Sequence, residues 1–500
     1  MIDATALRAA FEAAGYTTDA VIERIGDLGQ EGLGRNSTVP ADVALAGAMD
    51  PQAALIRLFV LQQRVSAGAL GAVFDVEALL AHGLAAHDPE DESDDVDPAI
   101  DIRPFASPDD GASGWVVSDL TPGLDQDTEP TRPDYVLGVS PASTTLAQLI
   151  SRRPVESALD LGTGCGVQSL HLARHAERIV ATDLNERAVE LARLTLALSG
   201  AEADLRVGSL FEPVAGERFD LIVSNPPYVM SPPSEDTETL VYRETNLLGD
   251  GLVEAIVRQA PAHLTPGGRL QLLTNWAIVD GVDWRERLSS WAPDCDLWVI
   301  ERERLDVFSY IEMWLTDAGL GGSEAWLPTY RRWLDYFNGL GIREVGMGWL
   351  WLRTVEGREP VHHLESWPHA VAQPVGDVFA RYPAALEASR LPTEQLLASR
   401  PRLVDVVEET IGRPGEADPE HIVLRQRRGL LRAIEVGTAE AAVFGALDGD
   451  LTLGQVLAAV AQVLELDAAE LVASILPMVR DALRDQFLEI TPNGVSGADV

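Results

Sequence analysis

The chain has 500 residues, too many for one hydrophobic core, so two to four domains are expected. Asp and Glu outnumber Lys and Arg by 78 to 38, giving a formal net charge of −40, and every one of these cations is arginine. That charge repels nucleic acid phosphate at long range, so a nucleic acid partner would need a locally basic face, for which Arg152-Arg153, Arg331-Arg332 and the arginines between Arg425 and Arg432 are thin candidates.

Charged residues interrupt every apolar run before the ~18 residues a membrane span needs, Leu453 to Leu466 included. The amino terminus carries Asp3 and no basic stretch, which argues against a secretion signal, and the two cysteines, Cys165 and Cys295, make neither a disulfide framework nor a zinc site. A cytoplasmic protein with no membrane partner is expected.

Residues 1–135 are expected to form a separate helical, winged-helix-like domain. Apolar positions recur at helical spacing over Ala6–Ala14, Thr18–Asp27, Pro51–Gln63 and Val76–His82, with Asp50 and Pro51 marking a helix start. The acidic run from Asp88 to Asp95 predicts a solvated loop. Ile100–Phe105 and Trp115–Leu120 then predict two strands across a Pro-Asp-Asp-Gly turn.

Residues 136–355 alternate strand and helix signals, the pattern of a parallel sheet covered on both faces. Strands are predicted at Ser157–Leu161, Arg178–Asp183, Asp204–Val207, Phe219–Asn225, Arg269–Thr274, Leu297–Glu301 and Gly346–Arg353. The His-, Trp- and Pro-rich stretch 357–374 predicts a boundary, leaving 356–500 as a mostly helical, winged-helix-like third domain. There helices are predicted over Thr393–Ala398, Leu403–Thr410, Ile422–Ala433, Glu440–Ala446, Leu453–Leu464 and Ala468–Gln486, with a strand at Phe487–Ile490.

Two stretches of the middle domain carry chemistry. Asp160-Leu161-Gly162-Thr163-Gly164-Cys165-Gly166 ends the first strand in a glycine turn, where the backbone can approach a ligand without Cβ clashes. Such a turn also serves dinucleotides, but it lacks the later glycine of the dinucleotide fingerprint. Asp183 ends the next strand, where a carboxylate can accept from both hydroxyls of a ribose or cap the helix that follows; Leu184 is its neighbour. Ser209 and Leu210 follow the third strand and would lie along an adenine.

Asn225-Pro226-Pro227-Tyr228 closes the fourth strand. The Asn225 side-chain oxygen and the Pro226 carbonyl can accept the protons of a planar nitrogen, Pro227 removes a competing donor, and Tyr228 can stack on a flat group. By itself the tetrad could also be no more than a rigid turn. His362-His363 and His369 repeat no ligand spacing, so no metal is expected, and Cys165, though in the glycine turn, lacks a His partner in sequence, so a nucleophile is not expected there.

Together these residues resemble the class I S-adenosylmethionine-dependent N-methyltransferases that bear Asn-Pro-Pro-Tyr, over roughly residues 136–355. That group includes release-factor glutamine, ribosomal RNA guanine-N2 and DNA adenine-N6 methyltransferases. The resemblance implies a Rossmann-like α/β domain with a seven-stranded sheet and S-adenosyl-L-methionine as cofactor. It implies cofactor contacts from Asp160, Gly162, Thr163, Gly164, Gly166, Asp183, Leu184, Ser209, Leu210 and Asn225, and a macromolecular substrate, protein or RNA/DNA, held by Asn225 to Tyr228. Leu247-Leu248-Gly249-Asp250-Gly251-Leu252, after Arg243-Glu244, resembles the glutamine branch, whereas Val139 to Thr144 and Asn275-Trp276 depart from it. A small-molecule or peptide methyltransferase, and a non-enzymatic winged-helix binding protein, are the alternatives.

Overall fold

A computed structural model describes residues 3–71, 74–87, 93–126, 132–227, 229–233, 247–413 and 419–490. By contacts the chain falls into two units, residues 1–147 with 154–368, and residues 148–153 with 369–500.

The first unit is built on one mixed sheet of eight strands. They are β1 (Val155–Leu161), β2 (Ala176–Asp183), β3 (Asp204–Val207), β4 (Phe219–Ser224), β5 (Leu264–Val279), β6 (Cys295–Asp306), β7 (Ile342–Thr354) and β8 (His362–Ser366). Their spatial order is β8-β6-β7-β5-β4-β1-β2-β3. The pairs among β5, β4, β1, β2 and β3 are parallel, and β7 runs antiparallel between β5 and β6. The seven predicted strands are all present. The expected count is nevertheless corrected to eight, because β8 pairs parallel with β6 inside the stretch predicted as a boundary. That strand is only partly buried and carries His362, His363 and Glu365, so it offers no apolar run to recognise.

Helices α1 (Val167–Leu172), α2 (Glu186–Ser199) and α3 (Gly251–Gln259) follow β1, β2 and the loop after β4. Val253, Ile256 and Val257 of α3 recur at helical spacing and bury against Leu159, Ile222, Leu270 and Leu272 of the sheet. Each such side chain contributes about 1.5–3 kcal/mol of transfer free energy. Between β6 and β7 the chain forms α4 (Val307–Asp317) and α5 (Trp326–Leu340), which share an aromatic cluster of Tyr310, Trp333 and Phe337.

The amino-terminal residues belong to the same unit. Helices Ala4–Ala13, Thr18–Leu33 (kinked at Gly26), Val39–Leu45, Pro51–Leu55 and Val76–Ala81 precede a hairpin of Asp101–Ala106 with Ser113–Ser118. The hairpin lies on α2: Trp115 N–H donates to Ser199 Oγ at 3.1 Å and Val117 N–H to Thr195 Oγ1 at 2.9 Å. Its turn reaches α1, where Asp110 meets His171 Nδ1 at 2.8 Å. Burial pushes the Asp110 carboxyl up, but hydrogen bonds from His171 and His175 outweigh it and hold the group well below the usual carboxylate range.

The second unit contains helices Gly376–Ser389, Thr393–Ala398, Thr438–Gly445, Leu453–Leu464 and Ala468–Arg484. The helices predicted over 403–410 and 422–433 are corrected to strands: Val406–Ile411, His421–Gln426 and Ala433–Val436 form an antiparallel sheet. Cross-strand pairs such as Arg425–Glu409 at 3.0 Å put charge where an apolar alternation would have shown. Leu488–Ile490 is a strand as predicted, paired with Pro401–Leu403.

Candidate active site

The carboxyl ends of β1, β2 and β4 and the loops after them surround a cavity of about 570 Å³. The glycine turn after β1 is its floor. Gly162 and Thr163 N–H both donate to the Thr182 carbonyl, at 2.8 and 2.9 Å, which ties the turn to β2. Gly162 and Gly164 have φ of +77° and +55°, and a Cβ built on either meets no atom within 4 Å, so the backbone there is bare toward the cavity. Gly166, at φ +83°, answers a different need: its Cβ would lie 3.1 Å from Ala192 Cα on α2.

Asp160 sits beneath this turn, 1% exposed, and is not part of the cavity wall. Its Oδ2 accepts from Thr163 Oγ1 and Ser169 Oγ, both at 2.7 Å, so it braces the loop from below. Burial pushes its carboxyl up to about 6, and the neighbouring charge of Asp183 adds to the rise. Asp183 does line the cavity; its Oδ2 accepts from Gly164 N–H and its Oδ1 from Asn185 N–H, both at 2.9 Å. Burial raises its pKa as well. Among the described lining residues Asp183 alone is charged, so the cavity is built for a mostly neutral ligand with one place for a diol or a cation.

Leu184, 62% exposed, Ser209 and Leu210 also line the cavity. Leu210 holds a left-handed φ of +47°, and the loop is fastened by Gly208 N–H donating to the Asp183 carbonyl at 2.9 Å. From β4, Ser224 Oγ donates to the Leu161 carbonyl at 2.6 Å, which fixes the strand end that presents Asn225, Pro226 and Pro227 to the same cavity. Asn225 Oδ1 is buried with no hydrogen-bond partner among the described residues, a cost of about 1–3 kcal/mol that a ligand donor would relieve. Tyr228, Arg243 and Glu244 lie outside the described residues.

The structure thus brings together Gly162, Thr163, Gly164, Asp183, Leu184, Ser209, Leu210, Asn225, Pro226 and Pro227, while Asp160 and Gly166 shape the loop without lining the cavity. It adds Tyr135, Ser140, Ser143 and Gln168, which the sequence reading missed. Gln168 Nε2 donates to the Ser143 carbonyl at 2.7 Å, and its Oε1 is a second buried acceptor with no partner among the described residues. The reciprocal Ser140–Ser143 bonds, Ser140 N–H to Ser143 Oγ at 2.8 Å and Ser143 N–H to Ser140 Oγ at 3.2 Å, form a helix-start box before Pro141 that the sequence does display. Asp250, by contrast, is structural: its Oδ2 accepts from Ala277 N–H at 2.7 Å and pairs with Arg287.

Residues 137–279 match the methyltransferase small domain. The α/β fold described above is in keeping with that match, and the bare glycine turn and the Asp183 carboxylate are groups that S-adenosyl-L-methionine would fit. Residues 13–96 match a domain of unknown function (DUF7059). The chain is 39% identical over 126 residues to the release factor glutamine methyltransferase of Xylella fastidiosa, covering 23% of this chain and 46% of that protein. It is 33% identical over 140 residues to ribosomal RNA small subunit methyltransferase C of Escherichia coli, covering 28% and 36%. The chain therefore spans about half or less of the curated relatives it matches. A 16S rRNA N2 G1207 methyltransferase from T. thermophilus, solved with AdoMet and guanosine, is 18% identical with a TM-score of 0.26, over 47% of this chain and 60% of that one.

Proposed function

We propose that this protein is an S-adenosylmethionine-dependent N-methyltransferase whose acceptor is a planar nitrogen of a macromolecule, either a protein glutamine amide or a nucleobase amine. The observation that carries this reading is the buried, unpartnered Asn225 Oδ1 in the same cavity as the bare glycine turn and Asp183. Asp183 would accept from the ribose hydroxyls, Ser209 and Leu210 would lie along the adenine, and Gly162 and Gly164 would admit the methionyl end. The cofactor supplies an electrophilic methyl group on a sulfonium.

At the acceptor side, Asn225 Oδ1 and the Pro226 carbonyl would take the two N–H hydrogen bonds of the substrate nitrogen. A nitrogen so held keeps its lone pair out of the plane of its protons and toward the methyl group. Neither proline has an N–H to compete for those acceptors. Tyr228 would stack on the flat substrate group. Rate enhancement in such a site comes from positioning and fixed dipoles. The helices and hairpin of the amino-terminal part, and the helices Leu453–Leu464 and Ala468–Arg484 with the strand after them, support a winged-helix-like reading of the flanks as substrate readers.

The test is labelling. The purified protein and isotopically labelled S-adenosylmethionine are added to a lysate from a strain lacking the protein, and the products are digested separately with protease and nuclease before sizing. Label released by protease alone assigns a protein acceptor, and label released by nuclease alone a nucleic acid. Label already small before digestion refutes the macromolecular reading.

A further inference from the structure

We infer that Tyr310, on α4, is a positioning residue for the acceptor loop that begins at Asn225; the inference rests on the methyltransferase reading above. The sheet hydrogen bonds of β4 to β1 and β5 end at Ser224. Beyond it, Pro226 and Pro227 have no N–H with which to fasten the backbone. Among the described residues of the loop a tie comes from outside the sheet: Met230 N–H donates to Tyr310 Oη at 3.1 Å.

The phenol is itself held. Asn275 Nδ2, on β5, donates to the same Oη at 3.0 Å. The ring is fully buried and makes edge contacts with Trp314 and Phe337, at centroid distances of 6.1 and 5.8 Å. Asp306 fixes the start of α4 by accepting from Phe308 and Ser309 N–H at 2.8 and 2.9 Å. Val229 and Met230 complete the loop's anchorage by burying in the same aromatic cluster. Thus α4, which lines no part of the cavity, sets the path of the backbone on which Asn225 and the Pro226 carbonyl are carried.

Tyr310→Phe keeps the ring and removes the hydroxyl that accepts from Met230 N–H and from Asn275 Nδ2. The expected result is a roughly tenfold loss of methyl incorporation into lysate at saturating S-adenosylmethionine, with the KM for S-adenosylmethionine within about twofold of the parent. Hydrogen–deuterium exchange at the Met230 amide should rise in the same variant. Phe337→Leu, in the same cluster but away from the loop amide, is the control: it should lower the melting temperature at least as much while keeping the rate within about twofold. A Tyr310→Phe rate within twofold of the parent, unchanged exchange at Met230, or an equal rate loss in Phe337→Leu would each overturn the inference. A parent protein that labels nothing would instead sink the methyltransferase reading, while a faster-exchanging Met230 would still report the tie.

Discussion

Asn225 and Asp183 share one cavity but serve different partners in the proposed reaction, so substitution should separate them. Asn225→Ala removes an acceptor aimed at the substrate nitrogen, and the rate should fall about 10²–10³-fold while the dissociation constant for S-adenosylmethionine changes by no more than a few fold. Asp183→Ala should raise that dissociation constant about 10–100-fold, because among the described residues it removes the only carboxylate on the cavity wall. Calorimetry alongside rate measurement checks both; a variant pair with matching losses in both quantities would contradict the assignment. Asp160 acts through folding. Its pKa is about 6 in the folded protein, raised chiefly by burial above the ordinary carboxylate value of the unfolded chain. A raised carboxylate favours the folded state at low pH and loses that contribution as pH climbs through the folded pKa. Asp160→Asn keeps an acceptor for Thr163 and Ser169 and does not titrate. The stability of the variant relative to the parent should therefore improve by up to about 3 kcal/mol between pH 4 and pH 7, read from denaturant melts at each pH.

At the scale of elements, the three glycines of the turn are not interchangeable. Gly166→Ala forces a left-handed Cβ to within 3.1 Å of α2 and should lower the melting temperature by several degrees, a loss of about 1–3 kcal/mol. Gly164→Ala meets no protein atom, so its larger effect should be on cofactor affinity, since its methyl enters the cavity. Thermal melts with and without S-adenosylmethionine distinguish the two. The same turn shows how much of the molecule the sequence displays. The seven strands from Val155 to Thr354 were legible because their runs end in turn residues, and so was the place of the glycine turn, Asp183 and Asn225 at strand ends that open on one cavity. Less was visible where charge decorates both faces of a short sheet, as at Val406–Ile411 and His421–Gln426. Tyr135 and Gln168 reach the cavity only through tertiary packing, and no local pattern marks them. The tie from Tyr310 to Met230 spans 80 residues of chain and is invisible in it for the same reason.

For the whole molecule the dominant feature is the net charge of −40. Many arginines are already engaged with carboxylates, as in Arg64–Asp97, Arg187–Asp119, Arg258–Glu254 and Arg353–Asp296, so added cations in solution have mostly unpaired acids to screen. The melting temperature should rise as salt increases from about 0.05 M to about 0.5 M, over which the Debye length falls to roughly a third. A flat or falling curve would show that the arginine pairs, which salt weakens, outweigh the repulsion. The strand order has a further consequence, for the chain as it leaves the ribosome. β1 to β4 follow one another closely, so the cofactor half can assemble as it emerges. β5 cannot be finished then, because its partner β7 begins only at Ile342, after β6, α4 and α5. Until that residue is made, a nascent chain carries the 16-residue strand Leu264–Val279 with its outer edge open, the kind of unpaired apolar edge that chaperones cover and that other copies join. Synthesis speed across residues 280–341 thereby becomes a determinant of yield, independent of how stable the finished fold is.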